Sequence, residues 1–221
     1  MSLFGWFFRK RRNVEVPDRI WLSEAATRNG LAAAVRERLN QSRLIIVVAS
    51  FPNRLVELES LLNELGLPFE HMERSIDAAQ IADALRESGE ARILLGTGEM
   101  LFPSETEPDD IDDSVSVSIL VRERHPLRAA DERIEQFARS LPCQATVQFF
   151  VSLDDALMKR FSGEWVKNML RQMGMGEGEA IESPMVARRI KAAQQKVAQQ
   201  ILETPNSAAS GDDWFAANSI S

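Results

Sequence analysis

The sequence contains few of the residues on which disulfide-bonded, metal-binding and membrane-spanning proteins depend. It has one cysteine, Cys143, and two histidines, His71 and His125, among 221 residues. A single cysteine cannot close a disulfide within the chain, and two histidines so far apart match no metal-ligand spacing. No apolar run approaches the roughly 18 residues that a membrane span requires. These absences predict a protein of the reducing cytoplasm that holds no metal.

Positive charge is also scarce. The chain has 33 acidic and 26 basic residues and a net charge of −7, which disfavours nucleic acid as a binding partner. Its contents of 44% apolar and 27% charged residues are typical of a soluble globular protein with a core of ordinary size. We therefore expect a protein partner and no nucleic acid.

Short apolar runs alternate with helical patterns over residues 43–151. A turn at Pro17 and Asp18 precedes them, followed by a helix that Ser23 caps. Residues 44–49 read LIIVVA, a continuous run of the kind found in strands that are covered on both faces. The further predicted strands are residues 68–72, 92–95, 115–121 and 146–151, and the predicted helices between them are residues 53–65, 77–86 and 127–140. This alternation predicts an α/β fold with a doubly wound parallel sheet.

A long helix closes the patterned part of the chain. Ser183 is a good N-cap, Pro184 suits the first helical position, and the helix is predicted to run to about Glu203. One face of this helix is an apolar seam made of Val186, Ile190, Ala193, Val197 and Ile201. We expect the near end of the seam to dock on the domain, and Val197 and Ile201 to contact a protein partner.

The first 12 residues, MSLFGWFFRKRR, place aromatic side chains before a basic run. A secretory signal carries its charges first, so this segment is not one. One interpretation is a frayed terminus. The other is an anchor whose aromatic rings enter an anionic membrane surface while its cations face the headgroups. The predicted membrane-contact residues are Phe4, Trp6, Phe7, Phe8, Arg9, Lys10, Arg11 and Arg12.

The last residues, NSAASGDDWFAANSIS, are mostly small or polar. Such a composition buries too little apolar surface to offset the entropy of ordering the chain, so we predict a disordered tail over residues 205–221. The alternative is a short docking motif built on Trp214 and Phe215.

Three segments carry a resemblance to a known family. They read SLDDALMKRF (residues 152–161), LRQMGMGEGEAIESPMVARRI (170–190) and AAQQKV (192–197), and they closely resemble the SecA preprotein translocase motor. The segment VPDRIWLSEAATRNGLAAAV (16–35) resembles the lead-in to the second motor domain of that family.

The resemblance implies a division of the chain. Residues 14–178 would form a second motor domain, which is RecA-like and similar to a helicase C-terminal domain. Residues 179–204 would begin the scaffold helix of the family. A basic aromatic tail, residues 1–13, would precede the motor domain, and the disordered tail would follow the helix.

SecA proteins hydrolyse ATP between two half-motors, of which the first supplies the phosphate loop and the second supplies arginines. This sequence contains no G-x-x-x-x-G-K-[ST] loop. In the register set by His125, Arg128 and Asp131, the two essential arginines of the family fall on Phe137 and Ser140. Neither side chain can stabilise a transition-state charge. We therefore predict that the chain is not an ATPase, with no catalytic, cofactor-binding or metal-binding residue.

The resemblance predicts a non-catalytic SecA-like protein that serves as a binding or regulatory module in Sec-dependent protein export. Its expected location is cytoplasmic or peripheral on the inner face of the cell membrane. The alternative is the second half of an ATPase motor, which a separately encoded nucleotide-binding half completes to drive preprotein translocation. The expected partners are the Sec translocation machinery or a separate motor half, together with an anionic membrane surface.

Overall fold

A computed structural model describes most of the chain. The described residues are 14, 17–87, 90–104, 111, 115–161, 163–201 and 207–220. The eight predicted membrane-contact residues, Phe4 to Arg12, therefore lie outside the described residues. In the described parts, no helix is both long enough and apolar enough to cross a membrane.

The described chain alternates between strands and helices. The strands are β1 (Asp18–Trp21), β2 (Leu44–Ala49), β3 (Glu70–His71), β4 (Ile76–Asp77), β5 (Arg92–Thr97), β6 (Leu101–Phe102), β7 (Ser116–Arg122) and β8 (Gln144–Ser152). The helices are α1 (Glu24–Leu39), α2 (Pro52–Glu64), α3 (Ala78–Glu87), α4 (Arg128–Ser140), α5 (Ala156–Phe161), α6 (Gly163–Gln172), α7 (Pro184–Gln200) and α8 (Gly211–Ala217).

Six of these strands form one parallel sheet in the order β1-β8-β7-β2-β5-β3. All six residues of β2 are buried, because alternate residues of this central strand belong to the two apolar clusters on opposite faces of the sheet. One cluster includes apolar residues of α1 and α2, and the other includes residues of α3, α4 and α7. The predicted α/β fold with a doubly wound, RecA-like parallel sheet is confirmed.

The structure adds strands that the apolar pattern did not predict. Residues expected to form a turn at Pro17 and Asp18 lead directly into β1, which pairs with β8 from Asp18↔Phe149 to Trp21↔Ser152. A second, two-stranded sheet joins β4 to β6. The apolar pattern did not predict β1 because this strand has only four residues, two of which are charged. Its formation depends on partners far away in the sequence.

Helix α7 begins at Pro184, as predicted, and ends at Gln200, a little before the predicted end. The burial of the apolar seam of this helix differs from our expectation at Val197. Val197 has 0% exposure and lies in the same buried cluster as Trp214 and Phe215. The prediction that Val197 is available to a partner is therefore wrong for this chain, because the cluster that includes the C-terminal residues buries it. Ile201 is half-buried, and its contact with a partner stays a prediction.

The C-terminal residues also differ from the expected disorder. Residues 211–217 form α8, whose N-cap Ser210 accepts a hydrogen bond from the Asp213 amide. Trp214 and Phe215 are 3% and 0% exposed, so this aromatic pair supplies enough apolar burial to order a segment whose composition is otherwise polar.

We expect Val197→Asp to reduce the free energy of unfolding by roughly 3–5 kcal/mol, because it places an unpaired charge in a closed apolar cluster. Urea unfolding followed by circular dichroism measures this loss. The matched control is Gln199→Asp on the exposed face of the same helix, which should change stability by less than about 0.5 kcal/mol. Equal losses from the two variants would contradict the burial of Val197.

Candidate functional site

The carboxyl ends of the central strands open into a pocket. The strand order changes direction between β2 and β7, and the helices that follow these two strands lie on opposite faces of the sheet. Such a switch point is the usual ligand position in open α/β sheets. The pocket has a volume of about 890 Å³. Its lining includes Ser50, Phe51, Thr97, Gly98, Glu99, His125, Asp131, Arg133, Ser207, Ala208, Ala209 and Trp214.

Aromatic rings form one wall of this pocket. The rings of Phe51 and His125 are stacked with centroids 5.1 Å apart, and Trp214 meets His125 edge-on at 5.5 Å. The amide of Leu127 donates a hydrogen bond to Nδ1 of His125 at 2.9 Å, so the proton of the neutral ring lies on Nε2. Burial lowers the pKa of His125 to about 4. At neutral pH this side chain is therefore an uncharged donor.

Arg133 is the basic side chain among the lining residues. It lies on α4 and is half-buried, with its guanidinium carbon 5.9 Å from the ring centroid of Phe102. Its positive charge, after the larger effect of burial, also lowers the pKa of His125. The pocket thus combines a cation with a neutral donor beside buried aromatic rings, a set that suits an anionic ligand.

A buried carboxylate holds one side of the pocket in place. Asp131 accepts hydrogen bonds from Gln194 Nε2 at 2.7 Å, the His125 amide at 3.1 Å and Arg124 Nη1 at 3.2 Å. Burial raises the pKa of Asp131 to about 6, and the charge of Arg124 opposes that rise. Arg124 also binds Asp18 at 2.7 Å. These bonds fix α4, and with it Arg133, relative to the sheet.

A second buried ion network lies beside the pocket. Arg54 Nε donates to Glu123 Oε2 at 2.7 Å, and Arg122 Nη1 donates to Asp155 Oδ2 at 2.9 Å. Arg54 also reaches Asp155, at 3.3 Å. Glu123 has a φ of 74° and is 2% exposed. Burial, reinforced by the charge of Asp155 and opposed by Arg54, raises the pKa of Glu123 to about 7.

Sequence reasoning missed both ion networks. The available signal was the run Arg122-Glu123-Arg124 directly after the apolar strand β7, since charges placed where a buried parallel strand ends lie at the ligand-binding edge of the sheet. The positions where we aligned the arginines of the family lie elsewhere. Phe137 has 0% exposure, and the Ser140 hydroxyl donates to the Phe137 carbonyl at 2.7 Å.

An apolar groove of about 390 Å³ lies between α5, α6 and α7. Methionines and aromatic rings dominate its lining, which includes Met158, Phe161, Trp165, Met169, Met173 and Met185. Trp165, Met173 and Met185 are 67%, 75% and 59% exposed. Flexible methionine side chains adapt to apolar surfaces of varied shape, so this groove is a second candidate binding surface.

Comparison with known proteins gives matches to SecA sequences. A family model described as the SecA P-loop domain matches residues 98–178. The chain is 45% identical over 85 residues to the protein translocase subunit SecA 1 of Rhodopirellula baltica, covering 38% of this chain and 7% of that protein. It is 26% identical over 220 residues to the SecA subunit of Rickettsia canadensis, covering 85% of this chain and 24% of the relative.

The SecA subunit of Koribacter versatilis is 37% identical over 97 residues, covering 44% of this chain and 10% of that protein. The chain therefore spans less than a quarter of the length of these relatives. The matches support the predicted resemblance to SecA proteins. They do not distinguish the second motor domain from other parts of the motor, and that finer assignment stays a prediction.

The prediction that the chain is no enzyme is contradicted by these matches. The model that matches residues 98–178 describes a P-loop domain, and the relatives are translocase subunits of the SecA type, which points to nucleotide binding. Our inference equated the absence of one phosphate-binding motif with the absence of nucleotide chemistry. The matched region includes Gly98, Glu99, His125 and the first half of α4, which form one side of the pocket described above.

The raised pKa of Glu123 predicts a pH dependence of stability. A carboxyl whose folded pKa exceeds its unfolded pKa favours folding while it is protonated, and this contribution is lost as it ionises in the folded state. Stability of the wild-type protein should therefore fall, relative to Glu123→Gln, as pH rises from about 4.5 to about 7. Urea midpoints measured across this range test the slope. Glu132→Gln, on the partly exposed side of α4, is the control and should leave the profile unchanged. Parallel profiles for wild type and Glu123→Gln would contradict the shift.

Proposed function

We propose that this chain forms one half of a nucleotide-dependent motor for protein translocation, and that its pocket faces a nucleotide held mainly by a second half. The observation that carries the proposal is the pocket at the switch point of a parallel sheet, one side of which lies in the region similar to a SecA P-loop domain. The finer assignment, to the second motor domain of a SecA-type motor, belongs to this proposal.

The lining residues suggest a division of roles. Nε2 of His125 offers a neutral donor, and Arg133 offers a positive charge for phosphate oxygens. Asp131 and Arg124 act through these residues, since they hold the first turn of α4 and the His125 amide in place.

A second half is proposed because one phosphate-binding motif is missing. The 221 residues contain no G-x-x-x-x-G-K-[ST], and in the proposed arrangement another domain or chain supplies that loop of backbone amides and lysine. The names of the relatives, protein translocase subunits, support the Sec translocation machinery as the setting. The half-buried Ile201, at the end of α7, remains a proposed contact with that machinery.

A membrane-surface role for the N-terminal residues is a further part of the proposal. It is supported by the sequence order of Phe4 to Arg12, in which four aromatic residues precede four cations. Each basic residue near an anionic surface contributes about 1 kcal/mol, to which burial of the aromatic rings adds. Because the chain as a whole carries a net charge of −7, attraction to an anionic surface depends on this local basic run.

The motor proposal is tested by reconstitution. Mixing the chain with a separately prepared SecA half that carries the phosphate loop should raise Mg·ATP hydrolysis above the sum of the rates of the two parts measured alone. Arg133→Ala should lower the restored rate at least tenfold, because it removes the positive charge from the pocket. Arg128→Ala on the same helix, outside the pocket lining, is the matched control. A mixture no more active than the isolated halves would contradict the proposal.

Co-sedimentation with vesicles tests the membrane part. Binding to vesicles with anionic lipid should be strong at low salt and weak at high salt, because screening reduces the attraction. Replacing Arg9, Lys10, Arg11 and Arg12 by glutamine should remove most of the binding. Vesicles of neutral lipid are the control. Undiminished sedimentation of the neutralised variant would show that the basic run is not responsible.

A further inference from the structure

The C-terminal strap, defined as residues 207–220, covers part of the pocket. Ser207, Ala208, Ala209 and Trp214 all belong to its lining, and Trp214 closes over the ring of His125. The strap therefore occupies space beside the groups that the proposed function assigns to nucleotide binding.

The strap also satisfies the open end of α2. Helices leave their first backbone amides without partners inside the helix, and a side chain, water or anion commonly accepts from them. The N-cap of α2, Phe51, makes no such side-chain bond. Instead, the Ala209 carbonyl accepts from the Asn53 amide at 3.0 Å. A strap oxygen thus occupies a position that an oxygen of a bound ligand would otherwise take.

Close packing fixes the strap on the edge of the sheet. At Gly211, an added Cβ would lie 2.9 Å from both Ala156 Cβ and Glu123 Oε1, so the absence of a side chain permits this approach. Phe215 is fully buried, and the Arg160 guanidinium carbon lies 4.4 Å from its ring centroid. The strap is therefore seated by a few apolar anchors on a complementary surface.

The backbone of the strap is largely paired within itself. The Trp214 amide donates to the Ser210 carbonyl, the Asn218 amide to the Trp214 carbonyl and the Ile220 amide to the Phe215 carbonyl. A segment of this kind can leave its seat as one unit, and its seven-residue helix is too short to keep those bonds once it has detached. It has the properties of a separate local unit.

We propose that the strap is a detachable cover that occupies part of the pocket until the nucleotide and the second motor half displace it. This inference rests on the proposed function for the identity of the displacing ligand. The strap and the ligand compete for Phe51, His125 and the Asn53 amide. Only molecules whose strap has detached bind the ligand fully, so the apparent affinity for the ligand falls in proportion to the fraction of such molecules. The strap therefore opposes assembly of the motor.

Hydrogen exchange of the full chain tests detachment without any ligand. The amides of Asn53, Trp214 and Asn218 should exchange at least 100-fold faster than that of Val47 in β2, through one shared opening. Phe215→Ala should increase exchange of the Asn53 amide at least tenfold. Trp165→Ala, which alters an exposed ring elsewhere, should leave it unchanged. Exchange of all these amides only at the rate of Val47 would show that the strap opens only with global unfolding, and would overturn the proposal.

A reversible crosslink tests the closure of the pocket. Asn53→Cys and Ala209→Cys, combined with Cys143→Ala, join the strap to α2 at a point where the two backbones are hydrogen-bonded. Mg·ATP hydrolysis with the phosphate-loop half should be at least tenfold lower in the oxidised form than in the reduced form. Equal activity in the two forms would overturn the strap as a cover. No activity in either form would contradict the proposed function. Hydrogen exchange alone would then test whether the strap detaches.

Discussion

The buried guanidinium of Arg124 joins parts of the chain that are distant in sequence. It binds Asp18 of β1 and Asp131 of α4, and its carbon lies 3.3 Å from the ring centroid of Phe149 in β8. Through Asp131 the same centre reaches Gln194 of α7. Loss of one member from such a buried network leaves uncompensated charge and costs about 3–5 kcal/mol. The geometry of the pocket depends on this centre, because Asp131 also anchors the His125 amide.

Helix α7 connects the two candidate binding surfaces. Its first half, with Met185 and Val186, lines the methionine-rich groove, while Val197 in its second half lies in the cluster that includes the C-terminal aromatic pair. One surface is thus covered by the chain itself, and large apolar side chains remain exposed on the other.

Patterns of neighbouring residues predicted those elements whose position depends mainly on the nearby sequence. The run at residues 44–49 identified the central strand, and Ser183 and Pro184 located the start of α7. Helical periodicity predicted the apolar face of α7, but it does not show which neighbour covers each turn. Val197, which we expected to be open, is therefore found buried. The pocket depends on Arg124 and Asp131, which bind Asp18 and Gln194 over separations of 106 and 63 residues, and such contacts leave no periodic trace. The strap was missed because two aromatic residues determine its order while the rest of its composition resembles a linker.

The position of β1 has a consequence for synthesis of the protein. Asp18 pairs with Phe149, so roughly 130 residues must be synthesised after β1 before its neighbour β8 is available for pairing. At a synthesis rate of about 5–20 residues per second, that interval is on the order of ten seconds. During it, Ile20 and Trp21, both buried in the finished fold, are exposed on the nascent chain. These two side chains therefore stay uncovered until β8 has emerged from the ribosome.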